Sequence, residues 1–208
     1  MARKLLERNS LFPYHVSNRS IDKAFYPIDL NLMWEETQDL LRILSWAYNA
    51  KIHAFVLMSN HFHLLVSTPS ENLDDCMRYF QSNLSHWIRN QTTKDTYAFN
   101  TRYRWSIIKD PIYYANVYRY VYQNPIRAGI VKLAECYKFS TLSGKSGMSR
   151  LDCPLAVHEF DGCIPEIDQT ELEWINQFVS KEDNRKTCLG LRRKIFSIPK
   201  RLRLKKAA

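Results

Sequence analysis

Apolar side chains recur along this chain with two periods, and the switches between them predict the order of elements. Residues 13–20, "PYHVSNRS", alternate as a short strand does. Over 29–50 the apolar positions Leu30, Met33, Trp34, Leu40, Leu41, Leu44, Ala47 and Tyr48 follow helical spacing, with Asp29 placed to cap the first turn. Residues 51–59, "KIHAFVLMS", are apolar on both faces, the pattern of a central strand. "SNH" turns the chain into a second strand. A long helix follows from Glu71, its stripe formed by Leu73, Cys76, Met77, Phe80, Leu84, Trp87 and Ile88. Residues 102–109 alternate again, and Asp110-Pro111 opens a third helix that runs to Gln123.

Strand, helix, strand, strand, helix, strand, helix resembles the split βαβ, or ferredoxin-like, plan. The expected fold is α+β, with an antiparallel-rich sheet, helices on one face and the other face free to work. Residues 140–150 read as a polar linker, so the chain divides into a body over 1–145 and a C-terminal extension over 146–208. The extension holds one helix, around 169–180, and then a basic tail.

Composition narrows the function classes. Of 208 residues 45% are hydrophobic and 13% aromatic, enough for a real core. No apolar run approaches the ~18 residues of a membrane span, and no signal peptide is visible. Five cysteines without a CxxC pair fit a reducing compartment. The chain therefore reads as a cytoplasmic protein with no membrane partner. Its net charge of +9 favours a polyanion. Residues 152–183 hold nine acids and one base, whereas 185–208 hold ten bases and no acid, so the body over 1–151, with 19 bases and 12 acids, is basic by itself.

Candidate chemistry sits in "SNHFHLLVS", 59–67. Strand alternation sends His61 and His63 from one face, roughly 6–7 Å apart at the backbone, and Phe62, Leu64 and Val66 from the other. That arrangement suits a metal site or two polar residues on a solvent-facing strand. In "YANVYRYVYQNPIRAGIV", 114–131, helical phase puts Tyr120 and Asn124 on one stripe, with Asn116 a turn earlier. Tyr118 and Tyr122 fall on another stripe, suited to core packing or base stacking.

Together with "YHVSNR", these segments resemble the single-tyrosine HUH transposases, and among them the REP-associated tyrosine transposases. The resemblance covers about residues 13–140. It implies a DNA endonuclease and strand transferase that cuts and rejoins single-stranded or hairpin DNA through a 5′-phosphotyrosine. On the matching positions Tyr120 is the nucleophile, and His61, His63 and Asn124 hold a divalent Mg²⁺ or Mn²⁺. The enzyme would act on the chromosome as a monomer or homodimer. Ser59 stands where the family usually has Pro, and Ser20 where it usually has Gly, which alters turn geometry and removes no catalytic atom.

Other readings accompany these. Asn124, preceding Pro125, also fits the N-cap of a short helix. His53, on the neighbouring strand, reads as packing or a support to the ligands. Cys153, His158 and Cys163 are too irregularly spaced for zinc. Arg19, Arg102, Arg104, Arg127, Arg192 and Arg193 are the candidate DNA contacts, with Arg102 and Arg104 alternating against Tyr103 and Trp105. A catalytically silent nucleic-acid-binding module and a metal-dependent hydrolase are the two rival functions.

Overall fold

Phe62, Leu64 and Val66 need apolar cover, and the chain supplies it with its first two long helices. A computed structural model describes residues 5–92, 98–99, 101–165 and 169–198. Its sheet has strands β1 (Tyr14–Arg19), β2 (Lys51–Leu57), β3 (His61–Ser67) and β4 (Arg104–Ile107) in the order β2-β3-β1-β4. Every pairing is antiparallel. Helices α1 (Leu30–Ala47) and α2 (Leu73–Gln91) cover one face. There the Phe62 ring meets Phe80 edge-on at 5.3 Å, and Phe55 stacks on Trp34 at 6.1 Å. Asp29 caps α1, its side chain accepting from the Asn31 N–H. This is the split βαβ fold that the pattern predicts.

The other face is not free. Helix α3 (Pro111–Tyr122) lies over β2 and β3 with Val117 and Val121 fully buried, and α4 (Asn124–Arg127) continues from it almost without interruption. Tyr114, Tyr118 and Tyr122 are buried as well, so α3 is a core helix on two of its stripes. The second face carries too many apolar groups, Leu65 and Val56 among them, to stay in water.

That second layer also corrects the place of β2. The strand lies at the sheet's edge, not its centre, and is apolar on both sides because both faces of the sheet are covered. Its outer backbone groups are satisfied from the segment read as a linker, 140–150, and from residues on either side of it. The Leu57 N–H donates to Phe139 O at 2.9 Å, the Phe55 N–H to Thr141 Oγ1 at 2.9 Å, and the Ala156 N–H to Ile52 O at 2.8 Å. Residues Thr141–Lys145 form a short helix, α5, and Ser140, Thr141, Leu142 and Ser143 are buried. Their hydroxyls mimic solvent in composition and serve as partners for an edge strand instead.

The extension packs on the body. Helix α6 (Gln169–Asn176) is shorter than its sequence pattern suggests. It buries Glu171, whose carboxylate accepts from Lys145 Nζ at 2.9 Å and from the Tyr118 hydroxyl at 2.8 Å. Helix α7 (Lys181–Gly190) follows, and the chain then runs beside β4: the Ile107 N–H donates to Lys194 O and the Phe196 N–H to Ile107 O, both at 2.8 Å. Gly190 permits this turn, since a Cβ there would lie 2.7 Å from the Phe196 ring and 2.8 Å from Ser197 O. Part of the basic tail is thus integral to the fold, while 199–208 lie outside the described residues. Among the described residues no helix is long and apolar enough to cross a membrane.

Candidate active site

The sheet register assembles the site. On β3, His61 and His63 point to the α3 face. Ser17 pairs with His63 and Arg19 with His61 on β1, and Arg104 of β4 pairs with Ser17. Strand alternation adds His15 to the same face. Across this floor, α3 brings Tyr120, α4 brings Asn124, α7 brings Cys188, and the turn after α7 brings Arg192. These groups line one cavity of about 340 Å³.

The two predicted histidines have defined partners. The His61 Nδ1–H donates to Asn60 Oδ1 at 2.6 Å, and the Asn60 amide nitrogen in turn donates to Lys23 O at 2.7 Å. A carbonyl-type oxygen can only accept, so His61 carries its proton on Nδ1 and leaves Nε2 bare. His63 Nδ1 shares a hydrogen bond with His15 Nε2 at 2.9 Å. The Tyr120 ring stands edge-on to His63 with centroids 5.6 Å apart, and to His15 at 6.1 Å.

Burial dominates the electrostatics here. It holds His15 down to about 3, with Arg127 adding to the effect, and His61 down to about 4, with Arg19 and Arg127 adding. His63 lies well below its ordinary value for the same reason, reinforced by its imidazole neighbours. All three are neutral at physiological pH, the form in which imidazole binds metals. Burial also raises the Tyr120 phenol, and the nearby Cys188 sulfur, 3.2 Å from the hydroxyl, raises it further. Arg127 opposes that shift, its guanidinium stacked 4.1 Å from the Tyr120 ring centroid.

These shifts carry a linkage consequence. An unfolded chain takes up protons on His15, His61 and His63 below about pH 6.5, whereas the folded protein resists until about pH 4 at His61 and about pH 3 at His15. The unfolded state binds more protons across that window, so stability falls as pH drops through it. The melting temperature should decline from pH 6.5 to 4, and replacing His15 by an isosteric non-titrating side chain should flatten the decline. A melting temperature unchanged over that range would contradict the buried neutral histidines.

The remaining candidates separate cleanly. Arg19, Arg104 and Arg192 line the cavity, and Lys23 joins them. Among the described residues none of these four side chains forms a salt bridge. Arg127 is committed within the protein, donating to Tyr120 O at 3.0 Å and Asn184 Oδ1 at 3.2 Å. Arg102 precedes β4 and sits over the Tyr103 ring at 5.3 Å, off the cavity lining, and Arg193 bonds the Ser197 hydroxyl. Asn124 is not an N-cap. It occupies the first helical position of α4, and its amide nitrogen donates back to Tyr120 O at 3.0 Å and Val121 O at 3.1 Å. The side-chain oxygen makes no hydrogen bond among the described residues. Asn116 lies in a different pocket, beside Arg119 and Gln123.

Other residues resolve as structural. Tyr122 bonds Thr141 at 2.9 Å, Tyr113 packs edge-on against Phe196, and Tyr114 is buried. His53 is the extra residue of a β-bulge between Ile52 and Ala54, tied to Ala156 O at 2.9 Å and Ser67 Oγ at 2.8 Å. His158 accepts from the Phe160 N–H as a helix cap, Cys153 is buried and Cys163 exposed. Among the described residues no three His, Cys, Asp or Glu side chains are grouped to hold a metal by themselves. Sequence reasoning missed His15, Lys23 and Cys188. Only His15 left a signal: it shares the face of Ser17 and Arg19 in "YHVSNR".

A family model described as "Transposase IS200 like" matches residues 13–124, more than half of the chain and a span that begins just before His15 and ends on Asn124. The chain belongs to this family. Among solved structures, a REP-associated tyrosine transposase bound to a REP hairpin is similar to this IS200-like transposase with a TM-score of 0.60 and 16% identity, over 76% of this chain and 94% of that one. That likeness establishes the shared mixed helix and antiparallel-sheet fold. A putative transposase from Deinococcus radiodurans R1 matches more weakly, with a TM-score of 0.39 and 14% identity over 62% of this chain and 91% of that one. No curated protein matches the sequence.

Proposed function

We propose that this IS200-like transposase cuts and rejoins single-stranded or hairpin DNA, on the chromosome in the cytoplasm, with Tyr120 as its nucleophile. The observation that carries the reading is the position of the Tyr120 ring, 5.6 Å from His63 in a cavity lined by Arg19, Lys23, Arg104 and Arg192. The catalytic unit is the body over 1–145, with the extension supplying the α7 wall. The solved neighbour bound to a REP hairpin supports a folded DNA substrate for this chain too.

In this reading Arg19, Lys23, Arg104 and Arg192 bind backbone phosphates and orient the strand. The Tyr120 oxygen attacks the phosphorus, an O–P bond forms, and the bond from phosphorus to the 3′-oxygen breaks. The phenolic proton passes by way of water to the departing 3′-oxygen. The 5′ end stays on the tyrosine as a phosphodiester, so a second 3′-hydroxyl can reverse the step without a nucleotide cofactor.

His61, His63 and Asn124 are the residues that would hold a divalent metal. The donor set fits: His61 Nε2 is bare, His63 has its Nδ1 already bonded, and the Asn124 amide nitrogen is occupied while its oxygen is not. Mixed imidazole and amide oxygen suits Mn²⁺ or Mg²⁺. When bound, such an ion would polarise the phosphate and favour loss of the phenolic proton, which a buried tyrosine otherwise retains. Incubating the protein with labelled hairpin oligonucleotides bearing random single-stranded flanks and Mn²⁺ should give a slow-migrating covalent species on a denaturing gel. Cleavage without any trapped covalent species would favour the hydrolase, and binding without cleavage the silent module.

Residues 199–208 carry five of the tail's ten bases and lie outside the described residues. Deleting them should weaken DNA binding and reduce the slope of log affinity against log salt by about 0.7 for each phosphate that the segment neutralises. Preference among hairpins should survive. An unchanged slope would mean that this segment does not touch DNA.

A further inference from the structure

We infer that His15 is a positioning residue for the metal, accepting the Nδ1 proton of the His63 tautomer that can act as a ligand. The inference rests on the proposed metal site of His61, His63 and Asn124. A neutral imidazole has one N–H and one lone pair, and the partner of one nitrogen decides what the other can do. For His61 the partner is the Asn60 oxygen, which accepts only, so its bare Nε2 is set in advance. For His63 the partner is another imidazole, which can either donate or accept.

Two arrangements keep the bond of 2.9 Å between His15 Nε2 and His63 Nδ1. If His15 donates, His63 holds its proton on Nε2 and cannot ligate. If His15 accepts, His63 holds its proton on Nδ1 and Nε2 is bare. Each ring carries one proton in both arrangements, so the pair exchanges roles with no change in charge. The ring of His63 stays in place throughout, and a metal needs only to draw the pair into the second arrangement.

Geometry singles out His15 for this task. It is only 3% exposed, and it lies diagonally across from His63, whose direct neighbour on β1 is Ser17. Diagonal positions on adjacent strands are within reach of a long or aromatic side chain. Among the described residues no other group bonds His63 Nδ1, so an apolar side chain at 15 would leave that nitrogen buried without a partner. Partners of this kind typically contribute 10–100-fold to metal affinity.

Glutamine and methionine have nearly the same length and shape, but only glutamine offers an oxygen acceptor. The Mn²⁺ dissociation constant, read from the free-ion EPR signal, should therefore rise about 10–100-fold in His15→Met and only about threefold in His15→Gln. Hairpin binding in the absence of metal should match the wild type in both. Equal Mn²⁺ affinity in the two variants would overturn the inference while leaving the metal reading intact. No Mn²⁺ binding by the wild type would overturn both. A second measurement needs no variant: long-range ¹H–¹⁵N spectra of the Mg²⁺-saturated wild type should show His63 protonated at Nδ1, and protonation at Nε2 would overturn the inference.

Discussion

Replacing Tyr120 by phenylalanine should leave hairpin binding within about twofold of the wild type and lower cleavage by about 10⁴-fold or more, the scale seen when a covalent nucleophile is removed. The ring would remain against His63 and under the Arg127 guanidinium, so the cavity keeps its shape. Only the oxygen proposed to attack phosphorus is removed, and with it the hydrogen bond to Cys188. Tyr118→Phe and Tyr122→Phe should behave in the opposite way. Their hydroxyls bond Glu171 and Thr141, so each substitution should cost about 1–3 kcal/mol of stability while the covalent species still forms. Melting curves and denaturing gels on the three variants separate chemistry from packing. A covalent band that persists in Tyr120→Phe would move the nucleophile elsewhere.

The second large effect is expected at the histidines. His61→Ala and His63→Ala should each abolish metal-stimulated cleavage, by about 10³-fold, since Lewis-acid activation of a phosphate is worth several kcal/mol. Their stability costs should differ. His63→Ala strips His15 Nε2 of its partner inside the protein, whereas His61→Ala frees Asn60 Oδ1 at a half-buried position. His63→Ala should therefore melt lower. His53→Ala should lose stability through Ser67 and Ala156 but keep metal-dependent cleavage. Full activity in the His61→Ala/His63→Ala double variant would refute the metal assignment.

Much of this architecture is legible in the chain because alternation and helical spacing are local properties. The period of two in 59–67 places His61 and His63 on one face and Phe62 on the other, and the register of β1 against β3 agrees. Helical phase likewise distinguishes Tyr120 from Tyr118 and Tyr122. What the pattern could not show is who covers whom. β2 reads as a central strand because both its sides are apolar, yet its edge is closed by Phe139 and Thr141 from a stretch rich in serine. Cys188 reaches Tyr120 only through the fold, across 68 residues of sequence separation. Arg102 and Arg104 alternate perfectly in sequence, but β4 begins at Arg104, so only one of them faces the cavity. His15 was legible in principle, since it shares a strand face with Ser17 and Arg19. Its partner was not, because diagonal contacts depend on register.

The central claim is that Tyr120 forms the bond to DNA, and peptide mapping tests it directly. The protein would be incubated with a pool of hairpin oligonucleotides and Mn²⁺, treated with nuclease and trypsin, and its peptides sequenced by mass spectrometry. Cleavage after Arg119 and Arg127 yields the peptide YVYQNPIR, which contains Tyr120 and Tyr122. The account predicts a nucleotide adduct on Tyr120 of that peptide, absent when chelator replaces Mn²⁺. An adduct on Tyr122, on any residue outside that peptide, or on none while the DNA is cut would contradict it.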